Sequence, residues 1–153
     1  MDRPPLRILV VDDEPLATER LQLLLARSNG VDLVGTAFDG EAAVRMSEAL
    51  QPDLLLLDVA MPGMDGIDVA KALASRRPAP AVIFVTAFDQ FAVAAFEVEA
   101  VDYLMKPVDP VRLEKALERA RAYLDRRTEQ GNGAAPASGS RYLEEFWATD
   151  LTG

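Results

Sequence analysis

The chain has 153 residues, half of them hydrophobic and 27% charged, with a formal net charge of −9; that is enough for one domain with a substantial core, and the acidic balance disfavours non-specific binding to nucleic acid. With no cysteine there is no disulfide, thiolate metal site or cysteine nucleophile, and with no histidine there is no Ser-His-Asp triad and no imidazole base. No apolar stretch is long enough to span a bilayer, and Met1-Asp2-Arg3-Pro4-Pro5 has no signal-peptide pattern, so a cytoplasmic location is expected.

Leu6 to Val11 is a short apolar run that predicts a first strand and ends abruptly at Asp12-Asp13-Glu14-Pro15. Pro15 suits the first turn of a helix. Leu16, Leu21, Leu23, Leu24 and Leu25 predict a broad apolar face on that helix, through about Arg27, before the stop at Ser28-Asn29-Gly30. Val31 to Ala37 reads as a second strand, Asp39-Gly40 as a turn, and Glu41 to Leu50 as a second helix. Leu54-Leu55-Leu56-Leu57 follows Gln51-Pro52 and ends in Asp58, the pattern of a strand buried on both faces of a parallel sheet. Met61-Pro62-Gly63-Met64-Asp65-Gly66 is a loop, and a third helix is expected from Asp65 to about Arg76. Ala81 to Val85 is a fourth buried strand, ending at Thr86. Gln90 to Glu97 is expected to be a short fourth helix, Val101 to Met105 a fifth strand ending in Lys106-Pro107, and the chain after Asp109-Pro110 a last helix fading near Arg126. Strand and helix alternate five times, which predicts an α/β fold: a doubly wound, five-stranded parallel sheet with five helices, flavodoxin-like in architecture.

The strand ends carry the chemistry. The first delivers Asp12 and Asp13, the third Asp58, the fourth Thr86 and the fifth Lys106. In a doubly wound sheet these ends lie along one edge, and the reversal of strand order opens a crevice there. Three neighbouring carboxylates repel one another, and a hard cation such as Mg²⁺ relieves this through carboxylate, carbonyl and water ligands. Lys106 offers a fixed positive charge and Thr86 a hydroxyl. A carboxylate can act as a nucleophile toward phosphorus, with metal and lysine stabilising the transferring group.

Taken with their surroundings, these residues resemble the receiver domain of two-component response regulators. The resemblance rests on Ile8-Leu9-Val10-Val11-Asp12-Asp13-Glu14, Pro52-Asp53-Leu54-Leu55-Leu56-Leu57-Asp58-Val59-Ala60-Met61-Pro62-Gly63-Met64-Asp65-Gly66, Val85-Thr86-Ala87 and Asp102-Tyr103-Leu104-Met105-Lys106-Pro107. It implies that Asp58 is the phosphoacceptor, served by a sensor histidine kinase or a phosphotransfer protein. It implies Mg²⁺ on Asp13, Asp58 and the Ala60 carbonyl, with Asp12 acting through water. Lys106 would bind the phosphoryl group, the bond to Pro107 would be cis, and Thr86 and Tyr103 would form a coupled switch. Phe88, two residues past Thr86, is expected to shield the acyl phosphate and slow its hydrolysis. The stretch from Thr86 to Val108 is similar to regulators of the LytTR type, in which a DNA-binding output domain follows the receiver. By the same analogy, activation exposes a face made by the helix over 90–97, the fifth strand and the last helix, with Phe91, Ala95 and Tyr103 as candidates for a phosphorylation-dependent homodimer contact.

The expected organisation is a receiver over 5–127, a flexible linker over 128–140 and, over 141–153, a tail or the start of an output domain. No nucleic-acid or membrane contact is expected of this stretch alone; DNA enters if an output domain follows. A nucleotide- or flavin-binding domain would want a glycine-rich loop after the first strand, where this chain has Asp12-Asp13-Glu14-Pro15. The remaining alternatives are a single-domain regulator working through protein contacts and a Mg²⁺-dependent aspartyl phosphohydrolase; the primary expectation is no enzyme beyond self-phosphorylation and self-dephosphorylation.

Overall fold

In the computed structural model, residues 3–87 and 98–129 are described. The elements are β1 (Leu6–Val11), α1 (Pro15–Ala26), β2 (Val31–Ala37), α2 (Gly40–Leu50), β3 (Leu54–Leu57), α3 (Gly66–Leu73), β4 (Ala81–Thr86), β5 (Asp102–Met105) and α4 (Pro110–Glu129). The five strands form one parallel sheet in the order β2-β1-β3-β4-β5. The chain steps outward from β1 to β2, then crosses back past β1 to begin β3. This puts the reversal between β1 and β3, as a doubly wound sheet requires.

The central strands are apolar almost throughout, β3 on every residue, because both their faces are covered. Leu9, Val11, Leu55, Leu57, Val82 and Phe84 pack with Ala43 of α2 and Val69, Ala70 and Leu73 of α3. Ile8, Val10, Leu54, Leu56, Ile83 and Val85 pack with Leu21 and Leu25 of α1 and Leu113, Ala116, Leu117 and Ala120 of α4. Alternation along each strand thus feeds two separate cores.

Helix starts follow their capping residues. Asp39 accepts from the Ala42 N–H, and Asp65 and Asp68 form a reciprocal capping box. Asp109 accepts from the Arg112 N–H at the head of α4. Gly30 ends the α1 turn at φ 72°.

Three expectations are corrected. The α1 leucines do not form one broad buried face: Leu16 and Leu23 are 79% and 68% exposed, while Leu21 and Leu25 are buried. Leu16 and Leu23 stand seven positions apart, on the side opposite Leu21 and Leu25, so five leucines exceed the width of one inward stripe. Helix α3 stops at Leu73 rather than near Arg76, because Ala74 and Arg76 donate to carbonyls only three residues back and Pro78 follows. Helix α4 runs to Glu129, three residues past the expected fade. Four helices are found among the described residues. The expected helix over 90–97 lies outside them, as do Phe88, the linker and the 141–153 segment.

Candidate functional site

Backbone pairing builds the site before any side chain enters. The Asp58 N–H donates to the Val11 carbonyl at 2.9 Å, extending the β1–β3 ladder by one residue and setting Asp58 beside Asp12. The Asp12 N–H donates to the Ala37 carbonyl, and the Lys106 N–H to the Thr86 carbonyl at 2.8 Å, which ties the ends of β4 and β5 together. The Lys106–Pro107 bond is cis, as the sequence reading expected.

The expected residues then converge. Asp12, Asp13 and Asp58 each offer one carboxylate oxygen, and these lie within 4.8 Å of one another. Asp12 and Asp58 are buried and Asp13 is half-buried. Lys106 Nζ reaches into the group, 2.7 Å from Asp12 Oδ2, 3.4 Å from Glu14 Oε1 and 3.5 Å from Asp58 Oδ2. Asp58 Oδ1 accepts the Ala60 N–H at 3.3 Å, and Asp12 Oδ1 accepts the Glu14 N–H at 2.9 Å. Thr86 is fully buried at the end of β4. Tyr103, on β5 beside Phe84 of β4, is buried. Phe91 and Ala95 lie outside the described residues.

Electrostatics follow from this crowding. Burial pushes the Asp58 carboxyl up to about 6, the Asp12 charge pushes the same way, and Lys106 and the Ala60 N–H pull it back only in part. Burial alone would lower Lys106, but its contact with Asp12 and the charges of Asp58, Asp12 and Glu14 hold it above the ordinary lysine value. Asp12 Oδ2 is buried, and the cation it faces is Lys106 Nζ at 2.7 Å. A carboxyl that ionises reluctantly and three hard oxygen donors facing one another, from Asp12, Asp13 and Asp58, fit a pocket for a small divalent cation.

The comparisons with known proteins agree with this geometry. The profile of the response regulator receiver domain matches residues 8–118. This chain belongs to the response regulator receiver domain family. The receiver is 48% identical over 116 residues to the positive alginate biosynthesis regulatory protein of Pseudomonas aeruginosa, covering 75% of this chain and 47% of that protein. It is 45% identical over 114 residues to the sensory transduction protein LytT of Bacillus subtilis, covering 74% and 47%. This receiver thus spans about half the length of the curated relatives it matches. Among solved structures it is similar to the receiver domain of the putative response regulator NarL from Mycobacterium tuberculosis, with a TM-score of 0.71 and 36% identity over 78% of this chain and 98% of that one.

Sequence reasoning found the five strand-end groups but missed two features. It assigned Glu14 no part, whereas Glu14 is a third partner of Lys106; the third acid in the Asp12-Asp13-Glu14 run was the available signal. It also passed over Asp102, an acid inside an otherwise apolar strand, which is fully buried and paired to α4.

Proposed function

We propose that this receiver takes a phosphoryl group from a phosphohistidine donor, a sensor histidine kinase or a phosphotransfer protein, onto Asp58. The observation that carries the reading is Asp58 itself: a buried carboxylate beside two further acids, with Lys106 Nζ at 3.5 Å. With a carboxyl value of about 6, Asp58 is mostly ionised above neutrality and ready to attack. One Asp58 oxygen forms a bond to phosphorus, the phosphorus–nitrogen bond breaks, and the imidazole leaves with the electron pair. Asp13, Asp58 and the Ala60 carbonyl would hold Mg²⁺, with Asp12 through water, and the bound ion would supply positive charge to the phosphoryl oxygens. Lys106, now paired with Asp12, stands within reach of the group on Asp58. The Thr86 hydroxyl and the Tyr103 ring would report the new charge to the surface around β5 and α4.

The matched relatives include the transcriptional regulatory protein BtsR of Escherichia coli, 40% identical over 116 residues. That supports a reading in which residues 5–127 are the receiver, 128–140 a linker, and a DNA-binding output domain of the LytTR type lies beyond. Phosphorylation would then favour a homodimer through the face near β5. No turnover of free substrate is part of this reading, and no helix among the described residues is long and apolar enough to cross a membrane.

The test is intact mass after incubation with Mg²⁺ and acetyl phosphate. A single phosphate adduct, absent from Asp58→Asn, is expected; steady hydrolysis of small phosphate esters without an adduct points instead to a phosphohydrolase. Mg²⁺ alone is expected to raise the melting temperature. At a hundred times its dissociation constant the gain is about 2.7 kcal/mol, or roughly 5–10 °C for a domain of this size. No shift on adding Mg²⁺, or an equal shift in Asp13→Asn, would count against the assigned ligands.

A further inference from the structure

Outside the acid pocket, one buried carboxylate among the described residues has no part in the proposed chemistry. Asp102 opens β5 and is fully buried. Both its oxygens are taken by one guanidinium: Arg112 Nη1 donates to Oδ2 at 2.8 Å and Nη2 to Oδ1 at 2.7 Å. Arg119 Nη1 adds a longer bond to Oδ2 at 3.4 Å, and the Tyr103 N–H donates to Oδ1 at 2.7 Å. Asp102 and Arg112 lie ten positions apart, and Lys106 sits between them. Within the same span, Arg20 Nη2 donates to the Val108 carbonyl at 2.7 Å.

We infer that the Asp102–Arg112 pair is a positioning device for Lys106, stapling the two ends of the segment that carries the lysine. β5 needs such a tie. It is four residues long, it lies at the edge of the sheet, and among the described strands it is bonded to β4 alone. A bidentate guanidinium–carboxylate pair fixes direction as well as distance, which apolar packing at this joint would not do. Burying ions is a poor way to gain stability, so directional control is the better account of an acid at this position. With the staple cut, the two bonds that tie Arg112 of α4 to the first residue of β5 are lost. The segment then loosens, and Lys106 leaves both Asp12 and Asp58.

This rests on the receiver reading, and it predicts that the rate falls without a loss of metal affinity. Asp102→Asn is expected to slow adduct formation from acetyl phosphate roughly tenfold, as a displaced catalytic group does. Its Mg²⁺ affinity, measured by calorimetry, is expected to hold or rise, because Asp12 is freed from its lysine. Arg112→Lys, which keeps the charge and loses the fork, is expected to fall between the two and carries the same test if Asp102→Asn does not fold. In a Lys106→Ala background, cutting the staple is expected to change the rate no further. Equal rates in the cut and uncut proteins overturn the inference. So does a parallel loss of Mg²⁺ affinity and rate, or an undiminished effect in the Lys106→Ala background, either of which means general support of the fold. A wild-type chain that forms no adduct removes the receiver reading itself; a wild-type chain that does, matched by Asp102→Asn, removes this inference alone.

Discussion

Replacing Asp58 with Asn is expected to make the metal-free protein more stable at pH 7.5, even as it abolishes phosphate uptake. The folded carboxyl titrates near 6, against an ordinary value of 3.8. A raised carboxyl binds its proton more tightly in the folded state than in the unfolded one. Stability therefore falls as pH rises from about 4 to about 6, and the penalty is fully present above that. A two-unit shift, already net of the attraction to Lys106, corresponds to about 3 kcal/mol, and solvent reaching the mouth of the pocket reduces it. We expect a net gain of roughly 1–2 kcal/mol at pH 7.5, about 3–6 °C in melting temperature. The gain is expected to shrink toward pH 4 and to vanish below about pH 3, where Asp58 is protonated in both states. Saturating Mg²⁺ is expected to narrow it by stabilising the wild type more. Urea unfolding across about pH 3 to 8, with and without Mg²⁺, checks all three parts. An Asp58→Asn protein less stable than wild type at pH 7.5 would mean that the pocket is not under the charge strain assigned to it.

That strain explains why the site was readable from the sequence. A carboxylate costs little in a surface turn, but Asp12 and Asp58 each end a run of residues buried on both faces, so their position along the chain already implied burial. The central strands were legible for the same reason: Val10 and Leu56 have no exposed side to vary. Legibility failed where a pattern had surplus or where a contact was distant. Five leucines in α1 could not say which would face inward, because Leu21 and Leu25, with Leu24 half-buried beside them, are chosen by the sheet they pack on and not by the helix. The boundaries of α3 depended on how the chain turned after Leu73, which its apolar spacing does not specify. The preference of Lys106 for Asp12 over Asp58 is set by under an ångström, a difference that only the folded backbone decides. Asp102 was missed because its partners lie on the following helix, at spacings with no local periodicity.

Gly66→Ala is expected to cost about 2–3 kcal/mol and to impair Asp58, whereas Gly63→Ala, three residues earlier in the same loop, is expected to cost about 1 kcal/mol and leave the chemistry intact. The two glycines serve different ends. Gly63 has φ 72° and open space around it, so a methyl group there meets only the backbone penalty of the left-handed region. Gly66 begins α3, and its N–H donates to the Val59 carbonyl at 2.9 Å. A Cβ on it would lie 2.8 Å from the Val59 Cα and nearer still to the Asp58 carbonyl oxygen. Those are backbone atoms of the segment that holds the phosphoacceptor, so no side chain can swing aside to make room. Either the head of α3 retreats, straining the Asp65–Asp68 capping box, or the backbone at Asp58 shifts relative to Asp12 and Lys106. Both routes weaken the fold, and the second also moves the nucleophile, for which a displacement on the order of 1 Å can cost up to about a hundredfold in rate. Denaturant midpoints together with the rate of adduct formation from acetyl phosphate separate the two glycines. If Gly63→Ala and Gly66→Ala lost stability and rate alike, the close approach of α3 to Asp58 would have no special role in holding the acid in place.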